Sequence, residues 1–258
     1  MNDKAALDYA LHPKEDRRYS VAEYLAEFEQ YDAALRPQPR CPICGANLYI
    51  NQLRDRAHTR QFAHIAGTEI HCPLVNDDCF NRVFVSRRLA DPILEARQRD
   101  AFMQQWRGHF QTMRRQAPSL SVVRLIRIIE YADVLHLWAC PNLMQADLPY
   151  ILLVLAEFIA ETPGAAHPSW LRFCFDSSVT ELTELRRPGR PAPRFYRFHY
   201  RPSHNSMFPS ARHLLGWQEV AMSDTHLSEE SMSLTHTDAL AFETFIRQST
   251  ANVDQLTQ

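Results

Sequence analysis

Glycine is scarce in this chain, with six among 258 residues. A Gly-x-Gly-x-x-Gly dinucleotide loop and a phosphate-binding loop ending in Gly-Lys-Ser/Thr both need clustered glycines, because the backbone must approach the phosphates closely. Neither pattern occurs in the sequence. We therefore predict no nucleotide cofactor and do not expect nucleotide-driven chemistry.

Long apolar runs are also missing. The longest, Tyr150 to Ala156, is far shorter than the roughly 20 residues that a membrane-spanning helix needs. Residues 1–30 carry charges throughout and contain no apolar segment of the signal-peptide type. We therefore expect no membrane association and a cytoplasmic location, in which thiols stay reduced.

Patterns of common catalytic sites are absent as well. No Gly-x-Ser-x-Gly elbow surrounds Ser203, Ser206 or Ser210, so serine hydrolase chemistry is unsupported. Five residues of the C-terminal third could form a second metal site or the site of a histidine-metal nuclease: His167, Cys174, His199, His204 and His213. Their spacing is not diagnostic of either site. We favour surface and core histidines, and a protein that is not an enzyme.

The first residues with definite chemistry are two cysteines near the N-terminus. Two residues separate Cys41 from Cys44, a spacing at which a tight turn presents both sulfurs to one ion, and Gly45 suits such a turn. Residues 47–51 and 60–64 then alternate like two short strands joined by a polar turn. This pattern predicts a hairpin that returns the chain to the cysteine turn.

The returning hairpin supplies the other ligands. It carries His64 back to the turn, and Cys72 is the most natural fourth ligand, which completes a closed tetrahedron of three Cys and one His. A closed tetrahedron indicates structural Zn²⁺. The substitute ligands are Cys79, His71 and His58. A disulfide between the first two cysteines, or buried thiols without metal, are the alternative interpretations.

The same stretch resembles a known family. Cys-Pro-Ile-Cys-Gly at 41–45, an Arg-bearing hairpin, Gln-Phe-Ala-His at 61–64 and a following Cys are similar to the N-terminal zinc-finger-like region of the competence protein CoiA family. The resemblance covers about an eighth of the chain. It implies four zinc ligands: Cys41, Cys44, His64 and Cys72. Members of that family act on DNA during uptake or recombination with a nuclease-like domain, whose acidic motif is not matched here.

Charge is unevenly distributed along the chain, although the net charge is only −2. Residues 82–127 contain ten arginines and three acidic residues, whereas residues 217–258 contain seven acidic residues and one arginine. Arginine binds phosphate through two hydrogen bonds, so an arginine stripe can follow a nucleic-acid backbone. The predicted nucleic-acid-binding residues are Arg87, Arg88, Arg97, Arg107, Arg114 and Arg115. The alternative is a solvated helix face that the acidic segment neutralises.

Hydrophobic periodicity predicts an α+β fold with an N-terminal helix and zinc ribbon, a central helical bundle and a small C-terminal antiparallel sheet. The expected domains are 1–80, 81–165 and 166–258. The predicted elements include a helix from Ser20 to about Leu35, a helix ending before Pro92, helices over 92–116, from 118 and from 147 to 163, strands over 170–175 and 195–200, and a helix over 237–246.

The leading hypothesis is a non-catalytic zinc-containing protein that binds or handles DNA, in uptake, recombination or a mobile element. The alternatives are a protein–protein adaptor with a purely structural zinc and a metal-dependent nuclease. Surface character distinguishes the first two, because a continuous basic face favours DNA and a broad apolar patch favours a protein partner.

Overall fold

The computed structural model describes residues 7–32, 34–52, 60–65, 67, 72–75, 91–203, 206–224 and 234–256. The helices within these ranges are α1 (Val21–Glu27), α2 (Pro92–Gln116), α3 (Val122–Val134), α4 (Leu148–Leu155) and α5 (His236–Leu256). The strands are β1 (Tyr9–Leu11), β2 (Arg18–Ser20), β3 (Leu48–Gln52), β4 (Arg60–His64), β5 (Ile159–Ala160), β6 (Trp170–Phe175), β7 (Phe195–Tyr200) and β8 (Leu214–Val220). The protein is therefore α+β, as predicted. The helix expected before Pro92 lies outside the described residues.

Capping side chains fix where the first two helices begin. Ser20 and Glu23 form a reciprocal capping box at α1. At α2, the Asp91 carboxylate accepts hydrogen bonds from two backbone N–H groups, both at 3.1 Å. Helix α2 spans the range that the sequence predicted. Helix α1 ends well before Leu35, because the chain turns back and the Tyr24 hydroxyl donates to the Pro37 carbonyl.

Helix α4 is the centre of the larger core. All eight of its residues are buried, and it packs against α2, α3 and β6. The sequence predicted a helix that continues to residue 163, but α4 ends at Leu155. Glu157 adopts a left-handed backbone conformation (φ 55°), which ends the helix, and strand β5 begins two residues later.

A four-stranded antiparallel sheet, in the order β5-β6-β7-β8, lies between two cores. Strands β6 and β7 match the predicted strands, whereas β5 and β8 were not predicted. Leu171 and Phe173 of β6 face the helices, while Tyr196 and Phe198 of β7 face the N-terminal segment. Because side chains alternate along a strand, both faces of the sheet are covered.

The N-terminal segment forms the layer on the second face of the sheet. Its β1–β2 hairpin, which the sequence did not reveal, is tied to the cysteine turn by reciprocal backbone hydrogen bonds between Leu11 and Arg40 of 2.8 and 2.9 Å. Buried Tyr19, Tyr24 and Phe62 fill the space between the hairpins. Each of the two cores contains buried residues from two of the three predicted domains. That these domains fold independently stays a prediction.

Helix α5 is longer than the predicted 237–246 and lies on the helical layer. The Phe242 ring stacks on Trp106 of α2 at 3.8 Å between centroids, and α5 also packs against α3. Among the described residues, no helix is long and apolar enough to cross a bilayer.

One carboxylate links α2 to the end of α3. The Asp133 oxygens accept two hydrogen bonds from Arg99, each of 2.8 Å, and one of 2.6 Å from the Trp138 indole. Asp133→Ala leaves both donors without this acceptor, so we expect a loss of about 2 kcal/mol in the free energy of unfolding. Chemical denaturation measures this loss. Glu130→Ala, an exposed change on α3, should change it by less than about 0.5 kcal/mol, and equal effects would contradict the assignment.

Candidate metal centre

The cysteine turn has the backbone of a metal-binding knuckle. The Cys41 N–H donates to the Ala46 carbonyl at 2.8 Å, and the Gly45 N–H donates to the Cys41 carbonyl at 2.9 Å. Gly45 has a φ of +71°, a left-handed conformation that glycine adopts without strain. This turn holds the Cys41 and Cys44 side chains on the same side.

The hairpin places the third ligand as predicted. Strands β3 and β4 pair in antiparallel register with Leu48 opposite His64. Leu48 follows the knuckle closely and its N–H donates to the Pro39 carbonyl at 2.7 Å, so its partner His64 is returned to the knuckle. Cys72 begins a turn in which the Val75 N–H donates to its carbonyl.

The four side chains converge on one point. The Cys41 and Cys72 sulfurs are 4.0 Å apart, and Cys44 Sγ is 3.3 Å from His64 Nε2. All four candidate ligand atoms lie within 4.8 Å of one another. A tetrahedral zinc site with bonds of about 2.3 Å to sulfur and 2.0 Å to nitrogen requires edges of about 3.8 Å between sulfurs and 3.5 Å between sulfur and nitrogen. The cluster therefore fits a single tetrahedral ion.

Burial makes this cluster unfavourable without a cation. Cys41, Cys72 and His64 are almost fully buried. Burial raises the pKa of Cys41 to about 12 and raises that of Cys72 well above its usual value. Hydrogen bonds from those two thiols lower the pKa of Cys44. These shifts favour one thiolate and two thiols in the cluster without metal, whereas a divalent ion stabilises all three thiolates.

The knuckle is docked onto the sheet by contacts that sequence reasoning missed. The Tyr196 hydroxyl donates to the Pro42 carbonyl at 3.1 Å, and the Ser177 N–H donates to the Ile43 carbonyl at 2.8 Å. A Cβ at Gly45 would lie 3.1 Å from Ser177 Oγ, so the two backbones meet closely. These residues are more than 130 positions from the knuckle, and no local pattern marks them.

The other ligand candidates have separate outcomes. Cys79, His71 and His58 lie outside the described residues. Cys41 and Cys44 are free thiols, so the disulfide interpretation is wrong for this structure.

The histidines of the C-terminal third have partners of other kinds. His199 Nε2 lies 2.5 Å from a Glu161 carboxylate oxygen, and His213 Nδ1 accepts a hydrogen bond of 3.1 Å from the Ser210 backbone. Cys174 is buried against the N-terminal segment, His167 is exposed, and His204 lies outside the described residues. Within the described ranges, the Cys41 cluster is the one group of three or more potential metal ligands.

The four predicted DNA-binding arginines that the structure describes share the outer side of α2. Arg97 and Arg115 lie opposite its buried stripe, 18 residues and therefore about 27 Å apart along the axis. Arg107 and Arg114 lie about a quarter turn away. Arg87 and Arg88 lie outside the described residues.

Comparisons with protein-family models, curated proteins and solved structures found no match to this chain.

The protonation of the cluster can be tested through metal binding. Two thiols with raised pKa values must each lose a proton when an ion binds, whereas Cys44 has already lost its own. At pH 8 we expect release of about two protons per ion, with affinity rising about 100-fold per pH unit. Calorimetric titration in two buffers of different ionisation enthalpy counts the protons. Release of three would show that Cys44 retains its proton, contrary to the lowered pKa of its thiol.

Proposed function

We propose that the Cys41 cluster is a structural zinc site in a ribbon-like module. Three sulfurs and one imidazole at tetrahedral spacing are typical of Zn²⁺. Four protein ligands leave no position for substrate or an activated water, so the site holds the fold together rather than performing catalysis. Because thiolate ligands must stay reduced, the proposal places the protein in the cytoplasm.

We further propose that the protein is non-catalytic and binds DNA, with α2 as the contact surface. The observation that carries this proposal is the grouping of Arg97, Arg107, Arg114 and Arg115 on the outer side of one 25-residue helix. The resemblance of residues 41–72 to the competence-protein region supports the same interpretation. It also supports a role in DNA uptake, recombination or a mobile element. Guanidinium groups spaced along about 27 Å can reach several phosphates of a duplex.

Acidic residues of α2 and α5 accompany Arg97 and Arg107. Asp100 follows Arg97 by three residues, and Glu243 of α5 lies 3.8 Å from Arg107. The last turn carries Arg114 and Arg115, and the helix has no acidic residue after Asp100. Arg114 is positioned over the Phe110 ring and by a 3.4 Å hydrogen bond to the Pro118 carbonyl.

A protein–protein adaptor is the second candidate function. It is favoured by three exposed apolar side chains on α3, namely Val123, Tyr131 and Val134, of which Val134 is 73% exposed. They recur at helical spacing along one side, as in a helix that packs against a partner. The two functions predict different responses to salt, because phosphate binding weakens as counterion concentration rises.

The zinc assignment predicts about one zinc per chain. X-ray absorption should give Zn–S distances near 2.3 Å and a Zn–N distance near 2.0 Å. Cys44→Ser removes one thiolate, so metal content should fall sharply and the N-terminal module should unfold. The matched control is Cys140→Ser, which changes a buried cysteine in the other part of the structure and should retain zinc. Protein prepared without chelator and found free of zinc would refute the assignment.

The DNA proposal predicts a steep dependence of affinity on salt. Each phosphate contact contributes about 0.9 to the slope of log affinity against log salt on duplex DNA, so four contacts give about 3.6. Arg114→Ala with Arg115→Ala should reduce the slope by one to two units and weaken binding to all sequences alike. A fluorescence anisotropy titration at several salt concentrations measures the slope.

The control for this experiment removes the same charge elsewhere. Arg127→Ala with Arg247→Ala changes exposed arginines of α3 and α5 and should leave the slope within about half a unit, less than one phosphate contact. If the unmodified protein binds no duplex at low ionic strength, the DNA proposal is wrong and the adaptor is favoured.

A further inference from the structure

An aromatic stack lies at one end of the four-stranded sheet. The Phe158 and Phe208 rings are nearly parallel, with 12° between their planes and 5.4 Å between centroids. The Arg172 guanidinium lies over the Phe158 ring, 4.6 Å from its centroid. Trp170 contacts both phenyl rings edge-on at 6.1 and 5.4 Å. Three chain segments that are distant in sequence thus build one layered arrangement of π-systems.

The outer end of this stack is open. Arg172 is buried and Phe158 is half-buried, whereas Phe208 is 46% exposed and the adjacent Met207 is 81% exposed. The parallel contact with Phe158 covers one face of the Phe208 ring. The exposed part of the ring offers an apolar surface on which a further ring can stack.

The chain around the stack is strongly basic, a feature that the overall charge conceals. Between Glu184 and Glu219 there are seven arginines and no acidic residue. Several of these arginines have carboxylate partners, as Arg186 has in Asp147. Arg201 and Arg212 are exposed, and among the described residues no carboxylate forms an ion pair with either.

These two arginines belong to the segment that carries Phe208. Arg201 directly follows Tyr200, whose ring lies 5.5 Å from Phe158. Its N–H donates to the His213 carbonyl at 2.9 Å and its guanidinium donates to the Arg212 carbonyl at 3.3 Å. These hydrogen bonds join the two ends of the segment, and Phe208 lies between Arg201 and Arg212 in its sequence.

We propose that Phe208, flanked by Arg201 and Arg212, is a stacking site for a base of single-stranded nucleic acid. The inference extends the proposed nucleic-acid binding to a second surface. Bases in a duplex already stack on one another, so only an unpaired base can offer its face to Phe208. The two arginines would then contact the phosphates on either side of that base. Binding of this kind tolerates any sequence, because every base has a π-face.

The test compares two labelled probes of equal length, a dodecamer of thymidine and a mixed-sequence duplex. Phe208→Ala should weaken binding of the single strand about 5- to 150-fold, the range for loss of one base–aromatic stack. Phe208→Trp should keep that affinity, since indole stacks on bases as well as phenyl does. Met207→Ala is the matched control, because it removes a more exposed apolar side chain without a ring and should have little effect. Duplex binding should be the same for all four proteins.

Each outcome separates this inference from the proposed function. Equal single-strand affinity of Phe208→Ala and the unmodified protein overturns the stacking site, even if duplex binding through α2 persists. Single-strand binding that depends on Phe208, without any duplex binding, supports the stacking site and overturns the role of α2. Absence of binding to both probes overturns both. Displacement of the single strand by an equal charge of polyglutamate would show an anion site without stacking and also overturns the inference.

Discussion

The burial of three cysteine sulfurs around one point is the constraint on which the N-terminal segment depends. Two short hairpins and a seven-residue helix have too little apolar surface to fold alone. Their knuckle is therefore held from two sides, by ligand side chains that a cation would join and by the hydrogen bonds from Tyr196 and Ser177. The sheet is therefore the surface on which the cysteine cluster packs.

The same sheet couples the metal site to the helices. Phe173 and Phe195 pack on the helical side, while Tyr196 and Phe198 pack on the N-terminal side. Because interiors are closely packed, a displacement of β7 on one face alters contacts on the other. The two surfaces proposed to bind nucleic acid, the outer side of α2 and the stack around Phe208, are therefore part of one connected scaffold.

The features that the sequence revealed are those with local signals. The starts of α1 and α2, the two central strands, and the spacing of the cysteines each depend on residues close together in the chain. The missed features depend on distant partners. Strand β1 is hydrogen-bonded to the knuckle through Arg40. The sequence of β8 lacks a clear strand pattern because one of its faces is exposed at the edge of the sheet. The end of α4 at Leu155 was not predicted because the helix is buried on all sides, so its sequence lacks the periodicity that would mark a helix boundary.

The net charge of −2 does not indicate where charge lies on the molecule, because acidic residues and arginines are paired unevenly in space. Helix α5 brings Glu243 to within 3.8 Å of Arg107, where Phe242 packs against Trp106, so the acidic C-terminal segment supplies a partner to the middle of α2. The segment between Glu184 and Glu219 contains no acidic residue. Carboxylates from other parts of the chain pair with some of its arginines, as Asp147 does with Arg186 and Asp16 with Arg194. Among the described residues, no carboxylate pairs with Arg201 or Arg212, which lie in the same segment as Phe208. Unpaired cations next to an exposed ring are what a binding site for an anionic, ring-containing polymer requires.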